Sequence, residues 1–251
     1  MKKVIGILGL SLCFMMNAAA KTKIIAHRGY WDTEGSAQNS IASLKKASEL
    51  KLYGAEFDVH VTKDGVVVLN HDETINGIDI QHSNYADIKD QKLSNGETIP
   101  TLEQYLDAAK SAKGLKLILE IKPHKSKEAD ERAVNAVMDI VKSKKAVKDT
   151  EYISFSLDIC KAIIARDAKA TVAYLRGDIA PQEVKQLGFS GLDYYFKTYE
   201  QHPEWIKEAQ KLGLTINVWT VNDQAVMLNM IGQNVHFITT DNPVLLRKLT
   251  K

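Results

Sequence analysis

Two histidines, three carboxylates and two basic side chains stand at the ends of short apolar runs in this chain of 251 residues, in His27-Arg28-Gly29, Glu56-Phe57-Asp58, Asn70-His71 and Glu120-Ile121-Lys122, with a fourth acid, Asp72, directly after His71. Side chains two apart on a strand share a face, so Glu56 goes with Asp58 and Glu120 with Lys122. If these strand ends meet, three anions converge in apolar surroundings, and at least one must take up a proton unless a cation joins them. One divalent ion resolves the repulsion, and all-oxygen ligands suit Mg²⁺ or Ca²⁺ better than zinc. With that ion in place, Arg28 and Lys122 leave a residual positive charge, which suits a monoanion such as a phosphodiester. His27 and His71 are then candidates for proton transfer. Imidazole both accepts and donates near neutral pH, and phosphodiester cleavage takes a base for the attacking oxygen and an acid for the leaving alkoxide.

Such residues need a scaffold that gathers strand ends. The β-like runs are Lys23 to Ala26, Ala55 to Val61, Val66 to Asn70, Leu115 to Ile121, Tyr152 to Phe155, Thr171 to Leu175, Leu192 to Phe196, Thr215 to Val221 and His236 to Thr239, with segments of helical period between them. This alternation predicts a mainly parallel sheet closed as a single (β/α)8 TIM-like barrel over residues 21–251, with its active site at the carboxyl ends of the strands. Nine runs compete for eight places, and Thr62-Lys63-Asp64-Gly65 is too short for a crossover helix. The barrel is therefore irregular between the second and third runs, where either a helix is missing or the pair forms a local hairpin. The polar stretch from Glu73 to Pro100, with turn signals at Asn76-Gly77 and Asn95-Gly96, reads as a loop insertion over the mouth. Thr101-Leu102-Glu103-Gln104 fits a capping box, and Asn242-Pro243 fits a helix start that Asp241 helps to make. Trp219 ends the eighth run, a position open to a ligand platform as well as to the core.

At the amino terminus, Lys2-Lys3, a run of about a dozen mostly apolar residues from Val4 to Met16, and Ala18-Ala19-Ala20 have the three parts of a secretory signal, predicting export with cleavage near Ala20. The run is short for a bilayer span, and Cys13 lies inside it without the small residues that precede a lipid-attachment site, so no stable membrane anchor is expected. Removing residues 1–20 leaves 31 basic and 31 acidic side chains, and no long basic stripe. Binding to nucleic acid by broad phosphate attraction is not expected. Cys160 would then have no partner for a disulfide and reads as a small core residue. His60, His82, His124, His202 and His236 receive no role.

The chain resembles the glycerophosphodiester phosphodiesterase family, a phospholipase C-like barrel type. The resemblance rests on Ala26-His27-Arg28-Gly29, Gln38-Asn39-Ser40, Gly54-Ala55-Glu56-Phe57-Asp58-Val59, Thr62-Lys63-Asp64-Gly65, Asn70-His71-Asp72, Ile99-Pro100-Thr101-Leu102-Glu103, Glu120-Ile121-Lys122, Val218-Trp219-Thr220-Val221-Asn222 and Thr240-Asp241-Asn242-Pro243. It implies metal-dependent hydrolysis of a small-molecule glycerophosphodiester to glycerol phosphate and an alcohol. It also implies metal ligation by Glu56, Asp58 and Glu120, acid-base work by His27 and His71, phosphate contacts from Arg28 and Lys122, and substrate packing on Trp219. The family pattern usually has a Glu before the Asn aligned with Asn39. Here Gln38 keeps hydrogen-bonding capacity but removes a charge, which Glu34 nearby is a candidate to replace.

Three other readings compete. A glycosidase would use paired carboxylates at a barrel mouth but leaves the histidines, Arg28 and Lys122 idle. A non-catalytic periplasmic phosphodiester binder has Gln38 alone in its favour. Purely structural ion pairs of the carboxylates with Arg28 and Lys122 would need strong compensation for burial.

Overall fold

The computed structural model describes residues 21–251, so the signal-segment expectation lies outside the described residues. In chain order the elements are β1 (Lys23–Ala26), α1 (Ile41–Glu49), β2 (Gly54–Val61), β3 (Val67–Leu69), β4 (Thr74–Ile75), β5 (Ile78–Asp79), α2 (Tyr85–Ile88), α3 (Leu102–Ala109), β6 (Lys116–Ile121), α4 (Lys127–Ser143) and β7 (Thr150–Ser154). There follow α5 (Leu157–Arg166), β8 (Val172–Tyr174), α6 (Pro181–Gln186), β9 (Gly191–Tyr195), α7 (Phe196–Gln201), α8 (Trp205–Lys211), β10 (Thr215–Trp219), α9 (Gln224–Gly232), β11 (Phe237–Thr240) and α10 (Pro243–Leu249).

Eight of these strands run parallel in the order β1-β11-β10-β9-β8-β7-β6-β2, and pairing of β1 with β2 closes the ring. The result is the expected (β/α)8 barrel. Period-2 alternation sorts each strand. On β2, Phe57 and Val59 join the outer core against the helices, and on β6 Leu117, Leu119 and Ile121 do the same. Ile25, Ile118, Ile153 and Leu175 form a separate apolar cluster, packed by Tyr53, Phe155, Ala173, Trp219 and Phe237. Ile118 has the parity of Glu120 and Lys122 along β6. The barrel interior is thus apolar toward the amino end of the strands and charged toward the carboxyl end.

The irregularity resolves as a hairpin. Residues 67–69, in the third run, are the surplus one, and β3 pairs antiparallel with β2 (Val59↔Leu69, Val61↔Val67) instead of entering the ring. No crossover helix is missing, because α3 follows the insertion and completes the β2-to-β6 connection. The insertion is more ordered than its polarity suggested. It carries the small hairpin β4–β5 and the one-turn α2, and Ile75, Ile80, Ile88 and Ile99 bury a second apolar cluster with Val68. It is also fastened to the barrel, since the Glu97 carboxylate accepts from the amides of Ile41 and Ala42 at the start of α1 (3.0 and 3.2 Å). A carboxylate there satisfies orphan amides and sits favourably in the helix dipole.

The capping expectations match the structure. Thr101 accepts from Gln104 N while Gln104 accepts from Thr101 N, and the Asn242 side chain accepts from Leu245 N ahead of Pro243. Cys160 is fully buried, with its thiol pushed up to about 12 by burial, as suits an inert core residue. No helix of the described residues is long and apolar enough to cross a membrane.

Candidate active site

The chain leaves β1 through two left-handed residues, Arg28 (φ 54°) and Gly29 (φ 75°). At Gly29 a Cβ would lie 2.2 Å from Ser43 Oγ, so only glycine lets the turn approach α1 this closely. This reversal aims the Arg28 amide at Glu56 Oε2 (2.7 Å). The strained turn therefore presents His27 and Arg28 at the mouth and fixes one of the carboxylates.

Glu56, Asp58 and Glu120 are all buried, each offering an oxygen within 4.8 Å of the others. Lys122 Nζ lies 2.8 Å from Asp58 Oδ1 and 2.8 Å from Glu120 Oε1. Asn39, held at φ 57°, clamps Asp58 from the other side, donating Nδ2 to Oδ2 (2.9 Å) and accepting from Asp58 N (3.0 Å). The three acids respond differently. Burial is the largest influence on Asp58 and raises its pKa, but Lys122, His71 and Asn39 together outweigh it and carry the group down to about 2. Burial first, then Asp58, pushes Glu120 up to about 8. Burial, Asp58 and Glu120 drive Glu56 well above its ordinary value, and Glu56 Oε1 has no hydrogen-bond partner among the described residues. One ammonium thus compensates only part of the trio, and an all-oxygen set with an orphaned buried oxygen fits a hard divalent cation.

Each histidine has a carboxylate behind it. His27 Nδ1 donates to Asp241 Oδ1 (2.8 Å), and His71 Nδ1 to Asp72 Oδ1 (2.7 Å). Asp241 also accepts from Trp31 Nε1 (2.9 Å) and from Asn222 Nδ2 (2.7 Å). Burial alone would raise its pKa, but His27, Asn222 and Trp31 together hold it at about 2. Asp241 is therefore not the helix-start residue expected from sequence. Asn242 caps α10, and Asp241 orients His27. His71 is half-exposed, and its pKa is drawn down by burial and then by Lys122, against the opposing pull of Asp58. Beneath it lies His60, which had no assigned role; it is buried with Nε2 3.4 Å from the His71 carbonyl, and burial takes its pKa to about 4.

A cavity of about 110 Å³ opens at this end, lined by His27, Arg28, Glu56, His71, Glu120, Lys122 and Trp219 among others. All eight residues singled out from the sequence are gathered there, with Asp58 ion-paired just behind the cavity wall. Trp219 packs edge-on to Phe155 and tilted against Tyr195, and its Nε1 donates to the Asp193 carbonyl (2.8 Å). Arg28 Nη1 donates to Gln38 Oε1, so the guanidinium has a neutral partner, and Asp58 is 3.9 Å from Nε. Glu34 is exposed and forms no ion pair with Arg28, so it does not replace the missing charge. Asn39 and Asn222 received no role from the sequence, and Asp241 received a different one. An asparagine in a tight loop and an acid beside a helix start each have an ordinary local explanation.

A TIM-like barrel whose mouth joins a buried acid trio, two carboxylate-backed imidazoles and two cations belongs to a class equipped to handle an esterified phosphate. The comparisons narrow this. Residues 27–245 match the model of the glycerophosphoryl diester phosphodiesterase family. A glycerophosphodiester phosphodiesterase of Caldanaerobacter subterraneus subsp. tengcongensis is 30% identical, over 92% of this chain and 98% of that protein. The crystal structure of a glycerophosphodiester phosphodiesterase from Parabacteroides distasonis is 51% identical with TM-score 0.91, covering 92% of this chain and 97% of that one. An Oleispira antarctica phosphodiesterase, solved with the product sn-glycerol-3-phosphate, shares the fold at 22% identity and TM-score 0.77, covering 91% of this chain and 96% of that one. The chain belongs to the glycerophosphoryl diester phosphodiesterase family and is a phosphoric diester hydrolase acting on glycerophosphodiesters. The glycosidase and non-catalytic readings end there.

Proposed function

We propose that hydrolysis to glycerol phosphate and an alcohol depends on one divalent cation, Mg²⁺ or Ca²⁺, held by Glu56, Asp58 and Glu120, with His27 and His71 exchanging the protons. The observation that carries this reading is the uncompensated trio: three buried carboxyl groups within 4.8 Å, one buried oxygen without a partner, and a single lysine between the other two acids. When bound, such an ion supplies Lewis-acid charge to the phosphoryl group.

The chain's own residues do the rest. Arg28 lines the cavity with its Nε unpartnered, leaving donors for a phosphate oxygen. Burial tends to discharge Lys122, but Asp58 and Glu120 outweigh it and raise its pKa, so it keeps its positive charge beside the same oxygens. Asp241 and Asp72 hold a proton on Nδ1 of His27 and His71, leaving each Nε2 to take or give one. The two rings come from different segments, one after β1 and one after β3, as suits an acid and a base serving separate oxygens. Trp219, Phe155 and Leu175 form an apolar wall for the organic part of the substrate.

The test is turnover of a panel of glycerophosphodiesters by metal-depleted protein. The reading expects activity to vanish on depletion and return with Mg²⁺ or Ca²⁺; undiminished turnover in metal-free protein would overturn it. The exported form beginning near Lys21 belongs to the same proposal, motivated by the tripartite pattern of residues 1–20. Amino-terminal sequencing of protein from the producing cell tests it, and a chain retaining Met1 would contradict it.

A further inference from the structure

Opposite the acid trio, the barrel interior holds a second polar group that the proton and phosphate chemistry leaves unused. Asp193 on β9 lies across from Asn217 on β10, and Thr239 stands on β11 beside it. Asn217 Nδ2 donates both to Asp193 Oδ1 (2.8 Å) and to Thr239 Oγ1 (2.8 Å). Asp193 is 2% exposed, and among the described residues its only hydrogen-bonded side-chain partner is that amide, so its second oxygen is left open to them. Asn217 Oδ1 is likewise buried without a partner. Burial is the main influence on the Asp193 carboxyl and pushes its pKa up to about 7, with the Asn217 hydrogen bond only partly offsetting it. Open acceptors in a barrel interior are costly, and the neighbouring inward positions are Ile153 and Leu175.

Asp193 and Thr239 line the active-site cavity together with Phe155, Leu175 and Trp219. That side offers acceptors without a positive charge, set in an apolar wall. It complements a small neutral group with hydroxyl donors. We propose that Asp193, steadied by Asn217 and Thr239, accepts a hydrogen bond from a hydroxyl of the substrate's glycerol moiety while Trp219, Phe155 and Leu175 cover its carbons. Asp193 is then a specificity determinant of the glycerol side, separate from the groups that act on phosphorus. This inference rests on the glycerophosphodiester reading.

A site built to hydrogen-bond a substrate hydroxyl rejects the analogue lacking it, because its own buried groups are then left unpaired. The experiment compares glyceryl 4-nitrophenyl phosphate with n-propyl 4-nitrophenyl phosphate, which keeps the three carbons and the charge but has no hydroxyls. Wild type is expected to prefer the glyceryl ester by about 100-fold in kcat/KM. In Asp193→Leu that preference collapses to within about threefold, with the propyl ester cleaved nearly as before. Asp193→Asn retains a polar side chain and should lose about tenfold on the glyceryl ester alone, so it carries the comparison if the leucine variant fails to fold. Competition by sn-glycerol 3-phosphate against n-propyl phosphate should follow the same pattern without turnover. Equal losses on both esters, or an undiminished preference in the folded variants, would overturn the assignment of Asp193. A wild type that turns over both esters without distinguishing them would overturn it as well, whereas a wild type that turns over neither would instead count against the glycerophosphodiester reading.

Discussion

The two sides of the barrel mouth are built on the same strand geometry, yet they do opposite electrostatic work. On the β1, β2 and β6 side, three acids meet Lys122 and Arg28 with more negative charge than the protein itself compensates. Across the opening, β7 to β10 contribute Phe155, Leu175 and Trp219 around a lone carboxyl whose partner is an amide. The first side is matched to charge, a cation and a phosphate; the second is matched to carbon and hydroxyl. A glycerophosphodiester has both characters in one small molecule, and the division of the mouth mirrors it.

Breaking the charged side should have the largest effects. Glu56→Gln or Glu120→Gln is expected to lower turnover by about 1,000-fold at low cation concentration, with partial recovery as the cation is raised. A saturation curve of rate against Mg²⁺ or Ca²⁺ measures this, and an unshifted curve would contradict it. His27→Ala and His71→Ala should each lower kcat by roughly 100-fold or more while leaving cation affinity unchanged, which separates proton transfer from metal binding. Either variant with wild-type kcat would remove that histidine from the reaction. Asp241→Asn acts through His27 and should cost about tenfold in kcat, with a displaced pH–rate profile and little change in KM.

On the organic side the effects are smaller and fall on binding. Trp219→Ala should raise KM by about tenfold with kcat within about threefold, the loss expected from uncovering an apolar surface. Asp193→Asn sharpens the contrast through stability. The folded carboxyl titrates at about 7 against an ordinary value of 3.8, so the unfolded chain releases its proton first. Its presence therefore weakens the fold progressively as pH rises from about 4 to 7, and the penalty is complete above that. The amide variant should melt several degrees above wild type near pH 8, with the gap closing near pH 4. A constant gap at both pH values would be at odds with a buried, elevated carboxyl.

Much of the charged side was legible because strand periodicity is local. Glu56 with Asp58, and Glu120 with Lys122, could be placed on shared faces from spacing alone. His71 was legible as a strand-end residue, although its strand leaves the barrel as a hairpin. The contacts that went unread are those the closure of the ring creates. Asp241 reaches His27 only because β1 lies beside β11, across 214 positions of sequence, and Asn242-Pro243 next to it offered a sufficient local explanation. Asn39 clamps Asp58 from a loop with no periodicity to reveal it. In the insertion, the spacing of Ile75, Ile80, Ile88 and Ile99 matches neither strand nor helix, so its small core was hidden in a polar stretch. The helices α2 and α7, of four and six residues, were too short to show a helical period.

The most direct measurement is calorimetric titration of a divalent cation into the metal-free protein, in buffers of different ionisation enthalpy near pH 7. Burial and mutual repulsion raise the pKa of Glu56 and Glu120, and a cation favours their ionised forms, so one ion per chain should bind with release of protons, and Glu56→Gln or Glu120→Gln should sharply weaken it. An absence of binding, or affinity and proton release unchanged in both variants, would contradict the cation seat on which the mechanism depends.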